Sequence, residues 1–170
     1  MQHRKSPRKG WYVLKFPEKF IKPSDNYMKS FKDISDSNGL NLAVEYKSGL
    51  ELKSFKYADC NPNIVSWSVE PFPITYIKPT DNRPHRYYID LVIKFKNERT
   101  FFIEVKPYSQ TIPPRKPKGF ANGTVTPKSL KRYRDAVMTY MINTAKLDAT
   151  KVYCKQNNFT FATLTERELK

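Results

Sequence analysis

The apolar positions change their spacing several times along this chain, and the changes divide it. Over residues 1–44, Trp11, Tyr12, Phe16, Phe20, Tyr27 and Phe31 are scattered anchors with no clean period, and Pro7, Pro17 and Pro23 break any long helix. This stretch is expected to be an arm that drapes over a domain or orders on a partner. The turn residues Asp36-Ser37-Asn38-Gly39 mark the expected boundary, which gives an extended N-terminal arm over 1–44 and a folded domain over 45–170.

The domain opens on Ser48-Gly49-Leu50-Glu51, a capping box with Ser48 as N-cap and Glu51 at N3. Leu50, Leu52, Phe55 and Ala58 follow at roughly helical spacing, so a short helix is expected to about Asp59, ended by Asn61-Pro62-Asn63. Residues 64–69 alternate and read as a strand, and 74–77 resume an extended run before the turn Pro79-Thr80-Asp81-Asn82. Residues 87–95 and 100–105 are two strong strands joined by a charged loop, a hairpin. A long loop containing Pro113, Pro114, Pro117, Gly119 and Gly123 leads to Thr126-Pro127, which opens a helix with proline at its first position. Leu130, Tyr133, Val137, Met138, Met141 and Ile142 form its expected apolar stripe; a second helix over 144–157 and a strand over 159–164 complete the chain. The order of elements is that of a mixed α/β domain.

Charge adds the next constraint. Of 170 residues, 31 are Lys or Arg and 16 are Asp or Glu, a net charge of +15. A balance this basic points to a polyanion, and basic residues interleaved with aromatics favour nucleic acid over a membrane. Arg4, Lys5, Arg8, Lys9, Lys15, Lys19, Lys22, Lys29 and Lys32 make the arm basic. Between residues 106 and 134 there is no acidic residue, while Arg115, Lys116, Lys118, Lys131 and Arg132 offer phosphate contacts, as does Arg86 ahead of residue 90. No apolar run is long enough to span a bilayer, and no apolar stretch follows the basic start, so the chain is expected to work in a cytosol or an assembly built there. Cys60 and Cys154 lie far apart and outside any C-x-x-C pair, which reads as two free thiols.

The chemistry concentrates in the hairpin. If residues 95–99 form its loop, Lys94 pairs with Thr100 and Asp90 falls opposite Glu104, with Cβ atoms about 4.5–5.5 Å apart. Two acids so placed repel each other unless a cation lies between them, and hard oxygen ligands suit Mg²⁺ or Mn²⁺. Lys106 points to the same place and can hold a water or offset phosphate charge. The bland alternative is that all three belong to a solvated hairpin face. Against it, Asp90 lies within Tyr-Tyr-Ile-Asp-Leu-Val-Ile and Glu104 within Phe-Phe-Ile-Glu-Val, apolar settings in which an acid is costly to bury.

Trp67-Ser68-Val69-Glu70, Ile74-Thr75-Tyr76, the run from His85 through Arg86 to Asp90, and Phe102-Ile103-Glu104-Val105-Lys106-Pro107 resemble the PD-(D/E)xK nucleases, in the version shared with the Tn7-type transposase endonuclease subunit. With Tyr46 to Glu51, Gln110, Pro113 and Pro114, the likeness is greatest to the head-completion nucleases of T4-like tailed phages. The resemblance implies a restriction-endonuclease-like mixed sheet flanked by helices. It makes Asp90 and Glu104 metal ligands with Glu51 brought from the first helix, Lys106 the catalytic lysine, and Gln110 a polar residue lining the site. Ile89 stands where the motif names proline. Glu51 also has its capping role, and Gln110 also reads as a plain loop residue. The implied activity is Mg²⁺- or Mn²⁺-dependent cleavage of double-stranded DNA with no small-molecule cofactor. The implied setting is the virion head or neck, after assembly in the host cytoplasm, with portal and other head proteins as partners. The alternatives are a non-cleaving neck protein that keeps the fold, or a transposase- or repair-type endonuclease.

Overall fold

A computed structural model describes residues 9–23, 30–36 and 39–169. Arg4, Lys5, Pro7, Arg8, Tyr27, Lys29 and the Ser37-Asn38 centre of the expected turn lie outside the described residues. In chain order the elements are β1 (Gly10–Val13), β2 (Phe31–Asp36), β3 (Gly39–Tyr46), α1 (Gly49–Cys60), β4 (Ile64–Val69), β5 (Pro73–Lys78), β6 (Arg83–Tyr88), β7 (Leu91–Phe95), β8 (Thr100–Val105), α2 (Pro127–Gln156) and β9 (Thr160–Leu164).

The central sheet has the order β4-β7-β8-β9, antiparallel except for the parallel pair β8–β9 that α2 connects. Its two faces feed two cores, because successive side chains on a strand point to opposite sides. Leu91, Ile93, Ile103 and Val105 join Trp67, Phe55 and Ala58 on the α1 side. Phe102, with Val92 and Phe161, joins Ile74, Tyr76, Tyr87 and Cys154 on the α2 side. This is a mixed α/β, restriction-endonuclease-like fold, with β1-β3-β2 forming a second sheet and β5-β6 a two-stranded one.

The structure departs from the expected elements in three places. The single strand expected over 87–95 is two strands, β6 paired with β5 and β7 paired with β4 and β8. Tyr87 and Ile89 pack in the α2-side core whereas Leu91 and Ile93 pack in the α1-side core, so the chain turns over at Ile89-Asp90. Tyr88, Asp90 and Val92 therefore do not share one continuous face. The two expected C-terminal helices are one helix of 30 residues. No glycine or proline interrupts it after Pro127, and Thr139, Thr144 and Thr150 turn their hydroxyls back to carbonyls four residues earlier, so the polar Asn143-Thr144 pair does not break it. Met138 and Met141, placed in its apolar stripe, are exposed. Only the C-terminal half of α2, from Ile142 onward, packs on the second core.

The third departure is in the segment read as an arm. Its described part carries β1, β2 and most of β3, and Tyr12, Leu14, Phe20 and Val44 enter the α1-side core. Asp59, fully buried at the end of α1, anchors it by accepting from the Tyr12 hydroxyl at 2.7 Å, Lys15 N–H at 2.7 Å and Phe16 N–H at 3.1 Å. Burial and this carboxylate hold the Tyr12 phenol far above its ordinary pKa. Tyr12→Phe leaves Asp59 one donor short in a buried site, so a loss of about 2 kcal/mol is expected in urea unfolding. Cys60 is exposed, Cys154 is buried, and both are free.

Candidate active site

The break between β6 and β7 sets Asp90 at the end of the central sheet. The register is the expected one, Lys94 opposite Thr100, and the ladder stops at Leu91–Ile103, one residue short of Asp90 and Glu104. Val105 N–H, freed from a backbone partner there, donates to Asp90 Oδ2 at 2.8 Å. Glu70 N–H approaches the Asp90 carbonyl at 3.4 Å from the end of β4.

Glu104 is buried. Its Oε1 accepts from the Lys106 ammonium, while Oε2 is buried with no hydrogen-bond partner. Burial above all, then the charge of Glu104, pushes the Asp90 carboxyl up to about 8, against the opposing pull of Val105 N–H and Lys106; Glu51 adds to the rise. Two acids and one lysine thus share a partly buried corner, with one carboxylate oxygen of Glu104 unsatisfied. That is a donor set with too much negative charge for its surroundings, and a hard divalent cation fits it. Among the described residues no three His, Cys, Asp or Glu side chains are drawn together as a formed metal site.

Glu51 caps α1. Its Oε2 accepts from Lys47 N–H at 2.7 Å and its Oε1 from the Ser48 hydroxyl at 3.2 Å, while Ser48 Oγ accepts from Glu51 N–H at 3.1 Å. The reciprocal partner is Lys47, one residue ahead of the expected Ser48 amide. The same side chain lines a small pocket of about 20 Å³ with Asp90, Glu45, Lys47, Glu70 and Ser30. Capping and proximity to Asp90 are therefore compatible. Gln110 is exposed on a single 3-10 turn, Tyr108–Gln110, and lines a shallow cleft with Tyr140, Asn143 and Thr163. Thr163 pairs with Glu104 across β8–β9, so this cleft lies one strand away from the acids.

The expected phosphate contacts separate into two regions. Arg86 is exposed on β6 beside His85, whose Nε2 meets Asp81 Oδ2 at 2.9 Å. Arg115, Lys116 and Lys118 are exposed on the loop after β8, which docks on α2 through Phe120 and Tyr133, ring centroids 5.4 Å apart. Lys131 and Arg132 are exposed on the first turns of α2.

Three residues that the strand pattern gave no role also reach the site. Lys47 Nζ pairs with Glu70 at 2.7 Å, and Glu70 sits at φ 44°, an uncommon backbone state for a residue other than glycine. Lys146 comes from α2. Tertiary packing brings these to Asp90; Lys47, within the run Tyr46 to Glu51, and Glu70, at the end of Trp67-Ser68-Val69-Glu70, each had a local mark.

The mixed sheet is of the restriction-endonuclease-like class, and Asp90, Glu104 and Lys106 gather at one end of it. Residues 61–166 match the family described as TnsA-like endonuclease N terminal, and the chain belongs to that family. The match includes Asp90, Glu104, Lys106 and Gln110 and begins after Glu51. Over 139 residues the chain is also 32% identical to a protein named head completion nuclease from Enterobacteria phage T4, covering 82% of this chain and 89% of that protein.

Proposed function

We propose that this chain is a Mg²⁺- or Mn²⁺-dependent DNA endonuclease that serves in completing a phage head. The observation that carries the catalytic reading is the buried Glu104 carboxylate, satisfied on one oxygen by Lys106 and bare on the other, beside Asp90. A divalent ion held by Asp90 and Glu104, with water completing its shell and Glu51 nearby, would supply Lewis-acid stabilisation of a phosphodiester. Lys106 orients the attacking water and offsets charge gathering on the phosphate. Gln110 lines the approach to the site. Double-stranded DNA is the substrate, which the net charge of +15 favours.

The name of the T4 relative supports a role in head completion; action after packaging, at the portal or neck of a particle assembled in the host cytoplasm and alongside other head proteins, is the finer part of the proposal. A protein that keeps this fold and only binds DNA or the portal is the second reading, favoured by the exposed basic loop and by the exposed first half of α2. The deciding measurement is nicking of supercoiled and linear DNA by pure protein with Mg²⁺ or Mn²⁺ or with chelator. Metal-dependent nicking is expected; none under any divalent ion leaves the binding reading. Replacing Arg115, Lys116 and Lys118 together by alanine is expected to weaken DNA binding about equally for all sequences. It should also lower the slope of log K against log salt by up to about 3 in fluorescence anisotropy.

A further inference from the structure

Lys146 is a cation without a carboxylate of its own beside the acidic site. It lies on the part of α2 that covers the second core, and its ammonium stands 5.7 Å from the ring centroids of both Tyr76 and Tyr87. Those rings meet edge to face at 6.0 Å and are buried, so they form a fixed platform. Tyr87 is pinned further: Thr150 Oγ1 donates to the Lys146 carbonyl at 3.0 Å, which leaves that oxygen to accept from the Tyr87 hydroxyl. The lysine backbone and one ring beneath its ammonium are thus tied through one threonine.

Lys106 differs in that its ammonium is taken up by Glu104. Among the described residues Lys146 forms no ion pair. It is half-buried, and burial first, then the charge of Lys106, brings its pKa below the ordinary lysine value, while Glu104 and Asp90 pull the other way. At 5.7 Å the two rings are near the outer limit of about 6 Å for a cation–π contact, so they place the ammonium more than they neutralise it. A partly desolvated, unpaired cation held on a rigid helix, close enough to feel the charges of Asp90 and Glu104, is matched by an anionic ligand that arrives from outside.

We infer that Lys146 is a substrate-contacting residue that seats a DNA backbone phosphate over the Asp90–Glu104 pair, with Tyr76 and Tyr87 as its platform. The inference rests on the nuclease reading for its purpose, but DNA binding tests it separately. Lys146→Met keeps the length and the packing on the rings, Lys146→Arg keeps the charge, and Lys151→Met removes an exposed lysine on the same helix that already pairs with Asp148 at 2.8 Å. Binding of a short duplex is followed by anisotropy in chelator across a salt series, with thermal unfolding as a fold check and Lys146→Gln as a second neutral variant. Expected for Lys146→Met and Lys146→Gln are about tenfold weaker binding, a salt slope smaller by about 1, and nicking reduced at least tenfold. Lys146→Arg and Lys151→Met should keep the wild-type slope. Wild-type affinity and slope in both neutral variants overturn the inference, whether or not the protein cuts. A wild type that binds but never nicks overturns the nuclease reading and leaves the slope to decide on Lys146.

Discussion

Lys106→Ala lowers DNA nicking by about 10³-fold while DNA binding stays within about twofold of wild type, since about 4 kcal/mol of transition-state stabilisation is removed and almost no ground-state contact. The expectation rests on what the ammonium touches. It sits on Glu104 Oε1, at the rim of the corner that holds Asp90, and it opposes the rise in the Asp90 pKa. Taking it away leaves both Glu104 oxygens without a protein partner and makes the corner more negative. The divalent ion should therefore bind no more weakly, and half-saturation in Mn²⁺ should stay the same or fall. A lost rate with undiminished metal affinity is the fingerprint of a lysine acting on water and phosphate; a merely structural lysine would weaken metal, DNA and fold together. Titration of nicking against Mn²⁺ and of binding against a labelled duplex separates the two. Wild-type nicking by Lys106→Ala would place the chemistry elsewhere in the molecule.

What made this corner legible in the sequence was local. The hairpin register follows from loop length, and Lys94–Thr100 pairing brings Asp90 to the level of Glu104. Alternation in 100–105 sets Phe102 and Glu104 on the opposite side from Ile103 and Val105. The Ser48–Glu51 cap is a four-residue pattern and forms at Ser48, with Lys47 N–H in place of the Ser48 amide as the donor to Glu51. What escaped is what distance in sequence conceals. Tyr87, Ile89, Leu91 and Ile93 alternate without a flaw and all four are buried, so nothing in the pattern reveals that the chain changes cores between Ile89 and Leu91. That change frees Val105 N–H for the Asp90 carboxylate, so the feature that escaped is also the one that shapes the site.

The N-terminal sheet was hidden for another reason. β1 has only four residues, and β2, Phe-Lys-Asp-Ile-Ser-Asp, is mostly polar, so neither carries a period. The one available mark was Leu40, Leu42, Val44 and Tyr46 at period two, weakened because Leu40 is exposed and Ala43, on the other face, is fully buried. Lys146 is a parallel case. Helical spacing gives it no mark of its own, and the packing of α2 over β5 and β6 sets it apart from Lys151 five residues on.

Asp90→Asn is expected to abolish nicking and, at pH 8 without metal, to make the protein more stable than wild type. The sign follows from linkage. The unfolded carboxyl ionises near its ordinary value of 3.8, whereas in the folded protein burial and Glu104 push it up to about 8. Between those values the folded state holds a proton that the unfolded state has released. This group's contribution to stability is therefore fully present below about pH 4 and lost as pH rises toward 8, by at most about 1.4 kcal/mol per pH unit. Asparagine stays neutral throughout and its carbonyl can still accept from Val105 N–H, so the variant lacks that slope. By pH 8 the difference should reach a few kcal/mol, or about 5–10 °C in Tm for a chain of this size. Mn²⁺ should reverse the order, because it binds the ionised Asp90–Glu104 pair of the wild type and stabilises only the state that binds it. Thermal unfolding at pH 5 and pH 8, with Mn²⁺ or chelator, contains the whole comparison. The two proteins should lie closest at pH 5 in chelator, diverge in favour of Asp90→Asn at pH 8, and cross when Mn²⁺ is added. A variant less stable than wild type at pH 8 in chelator would mean that Asp90 is already ionised and compensated, and a wild type indifferent to Mn²⁺ would remove the pair as a metal site.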